Sequence, residues 1–333
     1  FMISVEDLTM TYRTKLAEAS DESHRYRLFG RTTSVSTTAL NDISFSVERG
    51  EAVALLGRNG AGKSTLVKIL AGVLSPTSGR CRVAGLDPHA HRMMHARNIG
   101  VVFGQRSQLW WDLPVQDSFR ILARLYDITA ADVAEQWEIF EDMLSIGEIA
   151  RQPVRTLSLG QRMRAEVAAA TLHRPPVLLL DEPTIGLDLV LKESVQQLVG
   201  YLVREHGTTL VLTSHDVSDI GALCNRAVLI DNASIIYDGL VQTLIKSAPD
   251  RQVRVEWAEG PDAIEVTGVI SARLGNGIKV EATGPRQLMM MGSKQYLKPA
   301  RVLAQIQDLV DITDLVAPEP SLAQVLRAVY MHG

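Results

Sequence analysis

The residues with the clearest chemistry are Gly57-Arg58-Asn59-Gly60-Ala61-Gly62-Lys63-Ser64, with Thr65 directly behind them. They fit the spacing G-x-x-x-x-G-K-[ST] of a loop that wraps phosphate groups. Glycines permit the tight wrap, so that backbone N–H groups and the N-terminus of the following helix face the anion. Lys63 is expected to reach the β/γ-phosphates and Ser64 a Mg²⁺ ion. A second group is Asp181-Glu182, which closes the apolar run Val177–Leu180. An acidic pair at the end of a buried strand is costly unless a cation or proton compensates it. Asp181 beside Ser64 can hold Mg²⁺ directly or through water, and Glu182 can orient an attacking water or accept its proton. The expectation is a nucleotide site.

These groups need a rigid frame. Ala52–Leu56 reads as a short buried strand before the glycine loop, and Ser64–Ala71 as a helix with Leu66, Val67, Ile69 and Leu70 apolar. Ile3–Leu8, ending at Tyr12, and Ile43–Val47 alternate like strands, and Cys81–Ala84 adds another. Ile99–Phe103 and Thr208–Leu212 are buried runs that end at Gly104-Gln105 and Ser214-His215. Between Val115 and Leu144, Phe119, Leu122, Leu125, Val133, Trp137, Phe140 and Leu144 recur at helical steps, predicting a helical insert. Buried runs alternating with helices argue for a mainly parallel sheet. Arg13 to Thr38 is polar and irregular around an apolar Leu28-Phe29. It reads either as a solvated insertion or as a short amphipathic helix touching a membrane-side partner. Beyond Gly239, Val253–Trp257 reads as a strand, and Val266–Leu274 with Ile278–Ala282 as a hairpin around Gly275-Asn276-Gly277. Pro299–Val310 and Leu322–Met331 read as amphipathic helices, so a small α+β domain without a recognisable ligand motif is expected there.

The bulk properties set limits. A chain of 333 residues has room for about two domains. A net charge of −4 does not suggest a nucleic-acid or anionic-membrane binder. Cys81 and Cys224 lie far apart without metal spacing, so a reducing compartment is the default. No signal-peptide pattern is present, and no apolar run approaches the ~18 residues that span a bilayer. The protein by itself is expected to be soluble.

Over about residues 2–240 the motifs and their order resemble the nucleotide-binding subunit of an ABC transporter. Gly57–Ser64 is similar to the family's Walker A and Leu178–Glu182 to its Walker B. Leu157-Ser158-Leu159-Gly160-Gln161 resembles the LSGGQ signature, with Leu159 in place of the first glycine. The resemblance implies a P-loop NTPase of ABC type: a mainly parallel α/β core, an antiparallel β subdomain and a helical subdomain at about 106–173. The small C-terminal α+β domain would occupy 241–333. It further implies that Tyr12 stacks on adenine and that Gly57, Asn59, Gly60, Gly62, Lys63, Ser64 and Thr65 hold the phosphates. Ser64, Gln105 and Asp181 would hold Mg²⁺, and Glu182, His215, Gln105 and Lys63 would form the catalytic set. Ser158, Gly160, Gln161 and the D-loop Asp188 would complete an ATP site across a homodimer, because one copy of each motif serves a neighbour's nucleotide. Asp188 can also cap the following helix.

The partners implied are transmembrane permease subunits and a second copy of the chain, with no nucleic acid, at the cytoplasmic face of the inner membrane. Phe103–Pro114, Leu157–Met163 and Thr184–Asp188 are similar to stretches of ABC-2 type export ATPases. The C-terminal segment, including Pro320-Ser321-Leu322, resembles that group in position. An importer ATPase with a regulatory C-terminal domain, or a soluble ABC ATPase, are the alternatives. Trp110 and Trp111 cannot share one face of a helix or strand, so either a special loop buries both or one is left for a partner.

Overall fold

The computed structural model describes residues 1–333 except 18–31, 105, 106, 215, 249, 276 and 333. Two compact units divide the chain, Phe1–Gly239 and Leu240–Gly333.

The first unit begins with β1 (Ile3–Ala17) and β2 (Thr32–Val47), an antiparallel pair registered from Ile3 opposite Val47 to Ala17 opposite Thr32. Arg13–Ala17 and Thr32–Thr38 are therefore strand rather than irregular chain, because their backbones pair with each other even where the sequence does not alternate. The expected helix around Leu28-Phe29 lies outside the described residues. After β3 (Ala52–Gly57) and α1 (Lys63–Leu70), β4 (Ser78–Val83) pairs antiparallel with β1, giving a three-stranded sheet in the order β2-β1-β4.

α2 (Arg92–Arg97) leads to β5 (Ile99–Phe103), which ends at Gly104. Three helices follow: α3 (Val115–Leu125), α4 (Ala130–Leu144) and α5 (Leu159–Thr171). The helical pattern seen from Val115 to Leu144 is broken at Asp127, whose φ of 54° reverses the chain, and Thr129 starts α4 by accepting from Asp132 N at 3.1 Å. Phe119 meets Trp137 and Phe140 edge-on, with ring centroids 5.8 and 6.2 Å apart, which fixes α3 on α4.

The chain returns through β6 (Val177–Asp181), α6 (Leu189–His206), β7 (Thr209–Thr213), α7 (Val217–Leu223), β8 (Arg226–Asp231) and β9 (Ser234–Leu240). The central sheet runs β5-β6-β7-β3-β8-β9, and its first five strands are parallel. Every residue of β3 and β7 is buried, as expected for parallel strands covered on both faces. Helix α1 contributes Leu66, Val67, Ile69 and Leu70 to a core that also takes Ile3, Val5 and Ile43 from the antiparallel sheet and Val53, Leu179 and Val211 from the parallel one. The glycine loop is thus anchored between two sheets. Both cysteines are free and buried, and burial pushes their thiols up to about 12, so neither is a nucleophile at neutral pH.

The second unit comprises α8 (Val241–Lys246), β10 (Asp250–Trp257), α9 (Ala263–Leu274), β11 (Ile278–Gly284), β12 (Gln287–Ser293), α10 (Pro299–Ile306), β13 (Ile312–Val316) and α11 (Leu322–His332). Its antiparallel sheet has the order β11-β12-β10-β13. The expected hairpin around Gly275–Gly277 is a misreading: Ala263–Leu274 is helical. Asp262 caps it by accepting from Ile264 N at 2.9 Å, and Ala263, Val266, Ile270 and Leu274 are buried at three- and four-residue steps. That spacing outweighs the β-branched composition which suggested a strand. The strand partner of β11 is the methionine-rich β12, whose Leu288 and Met290 are buried with Val253, Val255 and Trp257.

Candidate nucleotide site

The carboxyl ends of β3, β5, β6 and β7 point the same way, so the segments that follow them are gathered at one edge of the sheet. In open α/β sheets that edge is where ligands bind. β3 leads into the glycine loop. Two of its glycines are required by space as well as by conformation. A Cβ on Gly57 (φ 154°) would sit 2.3 Å from Ile230 O, and one on Gly62 (φ 106°) 2.3 Å from Ala39 O. Gly62 is also the N-cap of α1 and offers no side-chain acceptor, so the helix start is left to an external anion.

Lys63 is buried and curls back along the loop. Its Nζ donates to Gly57 O at 2.7 Å and to Arg58 O at 3.1 Å. Three donors on an ammonium allow both bonds and a phosphate contact together. Burial lowers the Lys63 pKa from its ordinary value, and the nearby carboxylates of Glu182 and Asp181 oppose that shift. Ser64 Oγ donates to Asp181 Oδ1 at 3.2 Å, and Thr213 Oγ1, from the end of β7, donates to the same oxygen at 2.6 Å. A carboxylate accepts at both oxygens, so Asp181 keeps capacity for a cation beside Ser64. Among the described residues no group of three or more His, Cys, Asp or Glu could hold a metal. A Mg²⁺ ion here would accordingly take a hydroxyl, a carboxylate and the oxygens of the nucleotide itself. The residues present fit that ion.

Glu182 follows in a left-handed conformation (φ 54°), with its N–H donating to Thr213 O at 3.0 Å. Tyr12, on β1, is 38% exposed, and its hydroxyl lies 3.3 Å from Thr65 Oγ1 at the start of α1. Tyr12 and the glycine loop are therefore neighbours. Ser158 caps α5: its Oγ accepts from Gln161 N at 3.2 Å, and Gln161 Oε1 accepts from Ser158 N at 2.9 Å. Gly160 faces α6 so closely that a Cβ would lie 2.2 Å from Leu191 Cδ1. Asp188 caps α6 by accepting from Leu191 N at 2.9 Å. Gln105 and His215 lie outside the described residues.

The family pattern described as ABC transporter matches residues 40–185. The chain is 30% identical over 209 residues to the ABC transporter ATP-binding protein NatA of Bacillus subtilis, covering 63% of this chain and 85% of NatA. The chain belongs to the ABC transporter ATP-binding proteins. Other relatives include the Nod factor export ATP-binding protein I of Cupriavidus pinatubonensis (33% identical, 70% of this chain, 68% of the relative). The cobalt import ATP-binding protein CbiO of Rhodobacter capsulatus is 35% identical over 62% of this chain and 75% of its own. Among solved structures, the dimeric structure of a bacterial ABC transporter cassette matches with a TM-score of 0.58 at 25% identity, over 72% of this chain and 98% of the cassette. The protein is thus an ABC ATPase whose hydrolysis of ATP is coupled to transport.

Two groups of this ABC ATPase escaped the sequence reading. Thr213 was seen only as the residue after an apolar run, yet it bonds to both Asp181 and Glu182. The second is a buried network around Asp219, which is fully enclosed. Asp219 accepts from Ser214 Oγ at 2.8 Å, from Gln196 Nε2 at 2.7 Å and from Thr184 Oγ1, and pairs with Lys192, which also meets Asp216. It joins the residues after Glu182, the D-loop helix and the segment on either side of His215. Single polar residues scattered over 184–219 carry no spacing signal, so only the fold could assemble them.

The loop geometry has a direct consequence. Gly62→Ala would force a positive φ on alanine and drive its Cβ into Ala39 O, a strain of about 1–3 kcal/mol placed in the phosphate cradle. ATP affinity in a binding titration is expected to fall by about tenfold or more while the thermal unfolding of the second unit stays unchanged.

Proposed function

We propose that the site binds ATP with Mg²⁺ and hydrolyses it between two copies of the chain, and that this work drives a membrane exporter of the ABC-2 type. The observation that carries the catalytic part is the convergence of Ser64 and Thr213 on Asp181, next to Lys63 and Glu182. Backbone N–H groups of the glycine loop, with Lys63 and Thr65, bind the phosphates, and Tyr12 stacks on the adenine. Mg²⁺, held by Ser64, Gln105 and Asp181, would neutralise phosphate charge. Glu182 orients the attacking water and takes its proton, while Gln105 and His215 line the γ-phosphate. These roles follow from the positions that match the family's motifs.

The signature serves a neighbour. Ser158, Gly160 and Gln161 start α5 as an anion-binding helix end, and Asp188 starts α6 beside them. With one set of motifs per chain, two chains arranged head to tail give two complete sites. A solved relative of the same fold is dimeric. Leu159, where the family has a glycine, rests over Gly186 in the D-loop: a Cβ on Gly186 would lie 2.9 Å from Leu159 Cδ2. The larger side chain is thus accommodated by a glycine and leaves Ser158 and Gly160 in place.

Among the described residues no helix is long and apolar enough to cross a membrane. On the family reading, permease subunits would hold the protein at the cytoplasmic face. The segment after Gln105 suits that contact. Leu109 is buried, but Trp110 and Trp111 remain 38% and 51% exposed, and a cavity of about 310 Å³ opens beside Trp111. Export is favoured by the similarity of Phe103–Pro114 to ABC-2 sequences and by the Nod factor export relative. The cobalt import relative keeps import as the second reading. A neighbouring gene with six hydrophobic spans and no solute-binding protein would favour export. The unit 240–333 is read as the accessory domain of the exporter ATPase.

Glu182→Gln is expected to retain ATP binding and lose about a hundredfold or more of turnover, whereas Lys63→Ala should weaken binding itself. Near-normal hydrolysis by the first, or unchanged affinity in the second, would contradict the assignments. Ser158→Arg should bind ATP but not hydrolyse it. Mixed with Lys63→Ala chains, it forms dimers in which one site carries both lesions and the other neither, so part of the activity returns; recovery is read from hydrolysis against mixing ratio. Alanine at Trp110 or Trp111 should leave the free chain folded yet weaken copurification with the permease, as expected for partly exposed aromatic anchors. Thermal melts and pull-downs separate that outcome from simple unfolding.

A further inference from the structure

Helix α5 carries one buried acidic side chain that the site does not use. Glu166 lies about two turns beyond Ser158 and is 5% exposed. Its carboxylate accepts from Ser107 Oγ and, at 3.1 Å, from Gln108 N. Gln108 Nε2 returns a bond of 3.0 Å to Glu166 O. Ser107 Oγ in turn receives Leu109 N at 3.1 Å, so the carboxylate organises the whole turn that precedes the two tryptophans. Arg162, one turn earlier on α5, lies 6.0 Å from the centre of the Trp111 ring. Burial raises the Glu166 pKa, against the bonds from Ser107 and Gln108 that favour the charged form.

At its other end the same segment is tied to the catalytic edge, where Gly104 N donates to Asp181 O at 3.1 Å. Gly104 is thus bonded beside Asp181, and the turn that begins at Ser107 is bonded to the helix whose first residues carry the signature. Helix α5 needs no buried carboxylate for its own sake, since its remaining inward residues are mostly small and apolar: Ala165, Val167, Ala168 and Ala169 are all buried. A carboxylate retained there at a desolvation cost calls for a reason outside the helix.

We propose that Glu166 is a positioning residue for ATP hydrolysis. It holds the segment that leaves the magnesium edge in a fixed register with the signature helix. Ser158, at the head of that helix, then keeps the orientation in which it would face the neighbouring copy's phosphates. Nucleotide binding to a single chain does not need this link, because the glycine loop and Lys63 make their contacts without it. This inference rests on the nucleotide-site reading above.

The test uses the full chain with ATP and Mg²⁺, measuring nucleotide affinity, kcat, KM and the thermal midpoint for Glu166→Gln, Ser107→Ala and the double variant. Glu166→Gln keeps the shape but replaces one acceptor oxygen by a donor, and Ser107→Ala removes the hydroxyl that links Glu166 to the Leu109 backbone, on an exposed residue whose loss should not unfold the chain. Each is expected to lower kcat about tenfold, the effect of one charge-assisted hydrogen bond, with nucleotide affinity unchanged. The double variant should be no worse than the poorer single one, because both act through the same bond. Wild-type kcat in folded Ser107→Ala and Glu166→Gln would overturn the proposal. So would a loss of nucleotide affinity matching the loss of kcat, or strictly additive effects. Lys63→Ala run alongside distinguishes the two readings: undiminished binding there overturns the nucleotide site itself, irrespective of what Glu166 does.

Discussion

One carboxylate oxygen ties the catalytic edge together. Asp181 Oδ1 accepts from Ser64, at the start of the helix behind the glycine loop, and from Thr213, at the end of the neighbouring strand. Three segments remote in sequence are thereby fixed to within hydrogen-bond tolerance. The parallel sheet makes this possible, since β6 lies beside β7 and β7 beside β3, with all three ending at one edge. Lys63 and Glu182 then have no freedom to wander: the first is bound to loop carbonyls, and the second is held at its backbone by Thr213. A site that must stabilise transferring phosphoryl charge gains most from such preorganisation, because dipoles already in position cost nothing to reorient during reaction.

That rigidity extends behind the site. Asp219 is enclosed and accepts from groups on three segments, while Lys192 supplies the compensating charge. A half-satisfied buried network is worse than none, so its members must move together or stay together. The D-loop helix, the residues after Glu182 and those flanking His215 are thus joined through one buried carboxylate.

Much of this was legible in the sequence, for identifiable reasons. The phosphate loop was readable because its glycines and Lys63 sit at fixed spacing, and β5, β6 and β7 because buried parallel strands are unbroken apolar runs. Legibility failed where one pattern stood for two structures. Val266–Leu274 is rich in β-branched residues and looks like a strand, yet its burial at Val266, Ile270 and Leu274 is helical. The extension of β1 and β2 into a polar stretch was invisible, since two strands that pair mainly through their backbones need no apolar alternation. Asp219, Lys192 and Glu166 were missed because a lone charged residue within an otherwise apolar element looks the same whether it faces solvent or is buried.

The departure at Leu159 shows how sequence and fold share a constraint. The family's glycine at that position is replaced by a branched side chain, which in isolation suggests a damaged anion site. The neighbouring D-loop supplies the missing space instead, for Gly186 lies under Leu159 with φ 74° and no Cβ. Ser158 still caps α5, and Gly160 still lets the helix approach Leu191. A Cβ at Gly186 would come within 2.9 Å of Leu159 Cδ2, so the two positions constrain each other. Where two motifs touch, their tolerance belongs to the pair, and neither can be judged intact or impaired from its own residues alone.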